Sequence, residues 1–267
     1  MSADLLTSSG SVTSGASLEV RAVHRTFDGE SGPVAALAGV SLYVEPASFD
    51  AVIGPSGCGK STLFQILAGL QQPDAGDVLI DGLARRDRLG ICAYMPQRDG
   101  LLEHLRTVDN VALGLTLQGV GRAAARQRAQ ELLDRFGLGR FAGAWPWQLS
   151  GGMRHRAAFL RTVLLDRAAM LLDEPFGALD GITRGELHTW LLDVWEAVGS
   201  TVALITHDVA EAVFLADRVH VMTPRPGRVC ATFPIELPRP RTPEMQESAA
   251  FAGYEAQLRE ALREQRA

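Results

Sequence analysis

The sequence predicts an α/β fold, a mostly parallel sheet with helices on its faces and a helical lobe inserted into it. Three observations predict it. Strand-like apolar runs at 49–53, 169–172, 201–206 and 218–222 alternate with helical stretches, which is the pattern of a parallel sheet. A Gly-rich loop joins the first of these runs to a helix. The stretch 98–159 is mostly helical, with breaks at Gly119–Gly121, Gly137–Gly139 and Pro146.

The elements follow in chain order. Residues 18–23 and 40–44 alternate apolar and polar side chains, as half-buried strands do. Phe49 to Ile53 reads as a buried strand despite Asp50, and Ser61 to Leu70 carries apolar residues at helical spacing. A short strand at 78–80 leads into Asp81-Gly82, a tight-turn dipeptide, and another strand is expected at 91–95. The helix 182–198 places Leu187, Trp190, Leu191, Val194 and Val198 on one face. The Pro- and Arg-rich stretch after Pro224 leads into a short amphipathic helix, about 251–264. Residues 1–17, rich in Ser, Gly and Thr, are expected to be a disordered tail, 18–235 to form the main domain, and 236–267 a C-terminal tail.

Composition narrows the function classes. The chain has 267 residues, 46% hydrophobic and 21% charged, with formal net charge -5 and a pI of about 5.7. That is an ordinary globular balance without the basic stripe of a nucleic-acid binder, so no nucleic-acid partner is expected. The basic run Arg85, Arg86, Arg88 is interrupted by Asp87 and reads as a solvated turn. Cys58, Cys92 and Cys230 are far apart and odd in number, implying neither a zinc site nor a disulfide framework and fitting a reducing compartment. No apolar run approaches the ~18–20 residues that span a bilayer, so a membrane role must come through a partner.

Of the 26 basic residues, one is lysine, Lys60, and the rest are arginine. A chain that uses arginine elsewhere keeps a compact point charge at one place. Lys60 lies in Gly54-Pro55-Ser56-Gly57-Cys58-Gly59-Lys60-Ser61, a G-x-x-x-x-G-K-[ST] motif between a buried strand and a helix. There the glycines let backbone N–H groups converge on phosphate oxygens, and the following helix adds its positive end. Lys60 reaches the β- and γ-phosphates of ATP, and Ser61 offers a hydroxyl to Mg²⁺. Cys58, inside the loop, reads as a small filler, with a thiol open to alkylation that bound ATP would block as the alternative.

A second buried run, 169–172, ends in Asp173-Glu174-Pro175. Asp173 suits the Mg²⁺ site, and Glu174, one residue beyond the strand, suits a general base for the attacking water. His207 ends the strand-like run 201–206, where open α/β sheets bind ligands, and is placed to bond a γ-phosphate or the water.

The remaining motifs narrow the family. Leu149-Ser150-Gly151-Gly152-Met153 resembles the signature of ABC ATPases. Gln97 after Tyr94-Met95-Pro96 resembles their Q-loop, Gly177-Ala178-Leu179-Asp180 their D-loop, and Thr206-His207-Asp208 their H-loop. Phe27 is similar to the aromatic that stacks on adenine. The resemblance covers about residues 18–235 and implies a P-loop NTPase with a RecA-like core, an N-terminal antiparallel β subdomain and an α-helical subdomain at about 98–159. It implies nucleotide contacts from Phe27, the loop 54–61, Thr62, Ser150, Gly151, Gly152 and Asp180, and adds Gln97 to the metal ligands and to the catalytic group. It also implies two cassettes dimerising head to tail, with ATP between Lys60 of one and Ser150 of the other.

Within the family, the sequences around the signature, Asp173–Asp180 and Pro224–Arg228 resemble the ATPases of nitrate, sulfonate and taurine importers. Phe159–Thr162 and Leu187–Trp195 also resemble importers of thiamine precursors. The resemblance implies a second ATPase subunit forming a homodimer, a separate permease docked near Gln97–Leu117, and indirectly an extracytoplasmic solute-binding protein. It would place the chain at the cytoplasmic face of the membrane. His155 stands where the family more often has Gln, and Met153 likewise. The competing readings are a soluble ABC ATPase outside transport, which usually carries coiled-coil insertions or fused cassettes, and a nucleotide-binding regulator without turnover, which Glu174 and His207 disfavour.

Overall fold

The computed structural model describes residues 15–30, 32–177 and 181–265. Two sheets stack about the phosphate loop. The first is antiparallel, in the order β2 (Gly32–Val44), β1 (Leu18–Gly29), β4 (Ala75–Ile80), β5 (Leu83–Ala84). The second runs β10 (Val229–Pro234), β9 (Arg218–Met222), β3 (Phe49–Ile53), β8 (Thr201–Ile205), β7 (Ala169–Asp173), β6 (Ala93–Met95). Its strands pair in parallel except for β10, which is antiparallel to β9.

Every residue of β3, β7 and β8 is buried, as expected of parallel strands covered on both faces. Asp50 is tolerated in β3 because its carboxylate is fully paired. It accepts from His220 Nε2 at 2.8 Å, Arg218 Nε at 3.2 Å and Ser48 Oγ at 2.9 Å.

Helix α1 (Lys60–Leu67) ends three residues before the apolar pattern does. Gly69 takes φ +80°, and Leu70 N–H reaches Gln65 O at 2.9 Å while Gly69 N–H reaches Ile66 O at 3.1 Å, a Schellman stop. β1 is longer than its alternation suggested, because a bulge between Val20 and Val23, with Ala22 at φ 45°, shifts the buried face. Asp81 (φ 52°) and Gly82 (φ 71°) make the left-handed turn that joins β4 to β5.

The helical lobe holds α2 (Thr107–Leu117), α3 (Arg122–Arg135) and α4 (Gly151–Val163). Residues 98–106, read as helical from sequence, are irregular. Their carbonyls are taken by α4: Arg161 donates to Asp99 O and Gly100 O, each at 2.8 Å, and Arg154 pairs with Asp99. Arg88 also departs from expectation. It is 2% exposed and donates to the Ile66, Arg85 and Gln71 carbonyls, strapping the end of α1 rather than standing in solvent.

On one face of the parallel sheet, α5 (Gly181–Val198) and α6 (Val209–Leu215) bury Leu187, Trp190, Leu191 and Phe214 in a core shared with α4. The side chains of Val194 and Val198 lie outside those described. The C-terminal segment joins this core. Phe251 and Leu258 of α7 (Ala249–Glu264) are buried in it, and Arg241 donates to the Val213, Phe214 and Ala216 carbonyls at the end of α6. At the other end, Ala16 is buried and its N–H bonds Ala168 O, whereas residues 1–14 lie outside the described chain.

Candidate active site

The phosphate loop leaves β3 at Ile53 and enters α1 at Lys60. Gly57 (φ +74°) and Gly59 (φ +104°) hold conformations that side chains rarely adopt, and a Cβ on Gly59 would come within 2.8 Å of Ala36 O. Lys60 is 7% exposed, and its ammonium donates to Gly54 O at 2.8 Å and Pro55 O at 3.0 Å. The lysine therefore braces the loop from within while remaining at the cleft.

A cleft of about 580 Å³ opens beside the loop. Phe27, Ser56, Gly57, Gly59, Lys60, Ser61, Thr62, Gln97 and Glu174 line it, all singled out by the sequence. Asp28, Val34, Ala36 and Arg225 line it too and were not. The first three belong to β1 and β2, where nothing in the pattern distinguishes a cleft-facing residue from a solvated one. The signal for Arg225 was its place in Pro-Arg-Pro-Gly-Arg, read above only as a family likeness.

Cys58 is 1% exposed and packed behind the loop, as a small filler would be, and burial shields the thiol from the alkylation that was the alternative expectation. The exposed thiol is Cys230.

Asp173 and Glu174 point apart, as two roles require. Asp173 ends β7 buried at 2% exposure, next to the Ser61 hydroxyl. Burial pushes its carboxyl above the usual range, with the Ser61 hydrogen bond opposing, Glu174 adding and Lys60 opposing. Asp173 Oδ1 is buried with no hydrogen-bond partner among the described residues. A buried carboxylate oxygen without a donor, beside a hydroxyl, suits a hard divalent cation such as Mg²⁺.

Glu174 then turns the chain with φ 51°, a left-handed conformation that costs a non-glycine residue about 1–3 kcal/mol. The neighbours hold it there. Its N–H donates to Ile205 O at 3.0 Å, and its carbonyl bonds His155 Nε2 of α4 at 3.2 Å. Its carboxylate Oε2 accepts from Gln97 Nε2 at 3.0 Å and lies 3.6 Å from His207 Nδ1. Two residues far apart in sequence, Gln97 and His207, thus converge on one carboxylate, and His155 holds the backbone carbonyl of the same residue.

Ser150 caps α4, accepting from Met153 N–H at 3.3 Å. Ser150, Gly151 and Gly152 are not among the residues that line the cleft. Asp180 lies outside the described residues.

A phosphate loop between parallel strand and helix, with a buried carboxylate at the end of β7, one strand removed in the same sheet, defines a P-loop nucleotide-hydrolysing fold. The model of the ABC transporter family matches residues 37–177, and the chain belongs to that family. It is 43% identical over 217 residues to the taurine import ATP-binding protein TauB of Chromobacterium violaceum, covering 81% of this chain and 82% of that protein. It is 36% identical over 252 residues to the nitrate import ATP-binding protein NrtD of Synechocystis sp., covering 92% of this chain and 95% of that protein. The solved structure described as the dimeric structure of MJ0796, a bacterial ABC transporter cassette, superposes with TM-score 0.76 at 30% identity, over 82% of this chain and 99% of that one. A second structure of the same cassette, in a post-hydrolysis state, is dimeric and bound to ADP and Pi.

Proposed function

We propose that this chain is the ATP-hydrolysing subunit of an importer, working as a pair of cassettes on a separate permease and moving a small solute of the taurine, sulfonate or nitrate kind. The convergence of Gln97, His207 and His155 on Glu174 carries the catalytic part. The relatives' functions support the transport part.

The phosphate loop and Lys60 hold the ATP phosphates, and Phe27 offers a ring to the base. Glu174 takes the proton from water attacking the γ-phosphate, and Gln97 holds the carboxylate that does so. His207 stands beside the same oxygen, placed to contact the water or the phosphate. Ser61, Asp173 and Gln97 would hold Mg²⁺, which neutralises phosphate charge when bound. In a head-to-tail pair, the start of α4 at Ser150 would cover the partner's nucleotide, which agrees with its position outside this chain's own cleft.

Among the described residues no helix is long and apolar enough to cross a membrane, so attachment would be peripheral, through the permease at the cytoplasmic face. A solute-binding protein would act on the far side. The test is capture of tagged Glu174→Gln protein from membranes with ATP and Mg²⁺. A polytopic membrane protein among the partners is the expected result. Soluble or nucleic-acid-bound partners alone would leave the ATPase chemistry and overturn transport.

A further inference from the structure

Between β9 and β10 the chain folds into a loop, 223–228, packed against the phosphate loop. Thr223 closes it. Its N–H donates to Arg228 O at 2.9 Å, and its hydroxyl oxygen accepts from Arg228 N–H at 3.1 Å. The loop is then tied to β2, with Gly227 N–H on Ala36 O at 2.9 Å and Ala38 N–H on Gly227 O at 3.1 Å. Gly227 touches the back of the phosphate loop so closely that a Cβ there would lie 2.1 Å from Cys58 O. This is a braced segment, and of its two cations, Arg225 and Arg228, one lines the cleft.

That cation is Arg225. Its Nε donates to Gly57 O at 3.2 Å, at the middle of the phosphate loop, and its side chain lines the same cleft as Phe27, Lys60 and Ser61. The Nε bond fixes the plane of the guanidinium at the rim. The two terminal nitrogens make no hydrogen bond within the described residues, so they remain as a fork of donors over a site built for anions. A planar fork matches the paired oxygens of a phosphate better than an ammonium does. The carbonyl of Gly57 is also taken, so the loop presents its N–H groups inward without an opposing free acceptor at that point.

We propose that Arg225 is a second nucleotide-binding cation, whose terminal amino groups donate to phosphate oxygens of ATP while Nε holds the phosphate loop. It rests on the nucleotide-binding reading of the cleft. No catalytic step is assigned to it.

The experiment is calorimetric titration of ATP and of AMP into the full chain in three forms. These are wild type, Arg225→Ala and Arg225→Gln, each carrying Glu174→Gln to stop turnover. Hydrogen bonds to a charged group are worth enough that either Arg225 substitution should weaken ATP binding about ten-fold. The loss should shrink in high salt and be smaller for AMP. The Gln variant keeps a neutral donor for Gly57 O, so it guards against a fold defect in the Ala variant. Unchanged ATP affinity in the Gln variant would reduce Arg225 to a structural strap and overturn the proposal. A Lys60→Ala chain that binds ATP like wild type would instead overturn the nucleotide-site reading beneath it.

Discussion

Glu174 is where residue-scale physics is most exposed. Its left-handed backbone is held by Ile205 O and His155, and its carboxylate by Gln97. Replacing it with Gln keeps the shape and removes the base, so phosphate release should fall roughly 100- to 10,000-fold with ATP binding retained, measured by steady-state assay and calorimetry. His155→Ala should lower turnover by a smaller factor, and His155→Gln should restore part of it, because an amide can bond the Glu174 carbonyl. Cys92 makes a pH prediction. Burial lifts its thiol from 9.0 to about 12. Between those values the folded chain keeps a proton that the unfolded chain has lost, so stability falls as pH rises through that window. Thermal melts from pH 8 to pH 11 should show a shallower decline for Cys92→Ala than for wild type. An equal decline in both would remove Cys92 as a contributor.

At the scale of elements, the helix ends and the C-terminal helix are the features to probe. Ser150 caps α4 through Met153 N–H, so Ser150→Ala should cost about 1 kcal/mol of stability in denaturant melts, whatever it does to turnover. α7 was legible in the sequence as an amphipathic helix but was placed in a tail. The structure packs Phe251 and Leu258 into the core beneath α6. Leu258→Ala should therefore destabilise the chain by about 2–5 kcal/mol. ATP affinity at low temperature should be unchanged, since α7 contributes nothing to the cleft. A solvated helix would tolerate the change within ~0.5 kcal/mol. The misread stretch 98–106 has the opposite origin. Its apolar spacing imitates a helix, yet the Arg161 and Arg154 side chains of α4 take the backbone and acidic groups that would otherwise need one.

At the scale of the whole molecule, the two halves of the proposed ATP site stand on different parts of one cassette. Glu174→Gln protein with ATP should sediment as a dimer, and the same protein carrying Lys60→Ala should remain monomeric at the same concentration. Dimerisation that ignored ATP would contradict a nucleotide-sandwiched pair. The dimeric state of the MJ0796 cassette makes the expectation concrete.

The sequence by itself determined the alternation of strands and helices, the phosphate loop and the Asp173-Glu174 pair, because periodicity and motif spacing are local properties of a chain. It also marked Lys60, the sole lysine, and Phe27, which the structure places together at the cleft. Only the tertiary structure decided which side chains meet across large separations. Arg88 became a buried strap, Cys58 was hidden, Arg225 came to the phosphate loop and His155 came to Glu174. Those outcomes depend on which backbone carbonyls are left without partners once the elements pack, and that is settled by the packing of distant segments rather than by any local pattern.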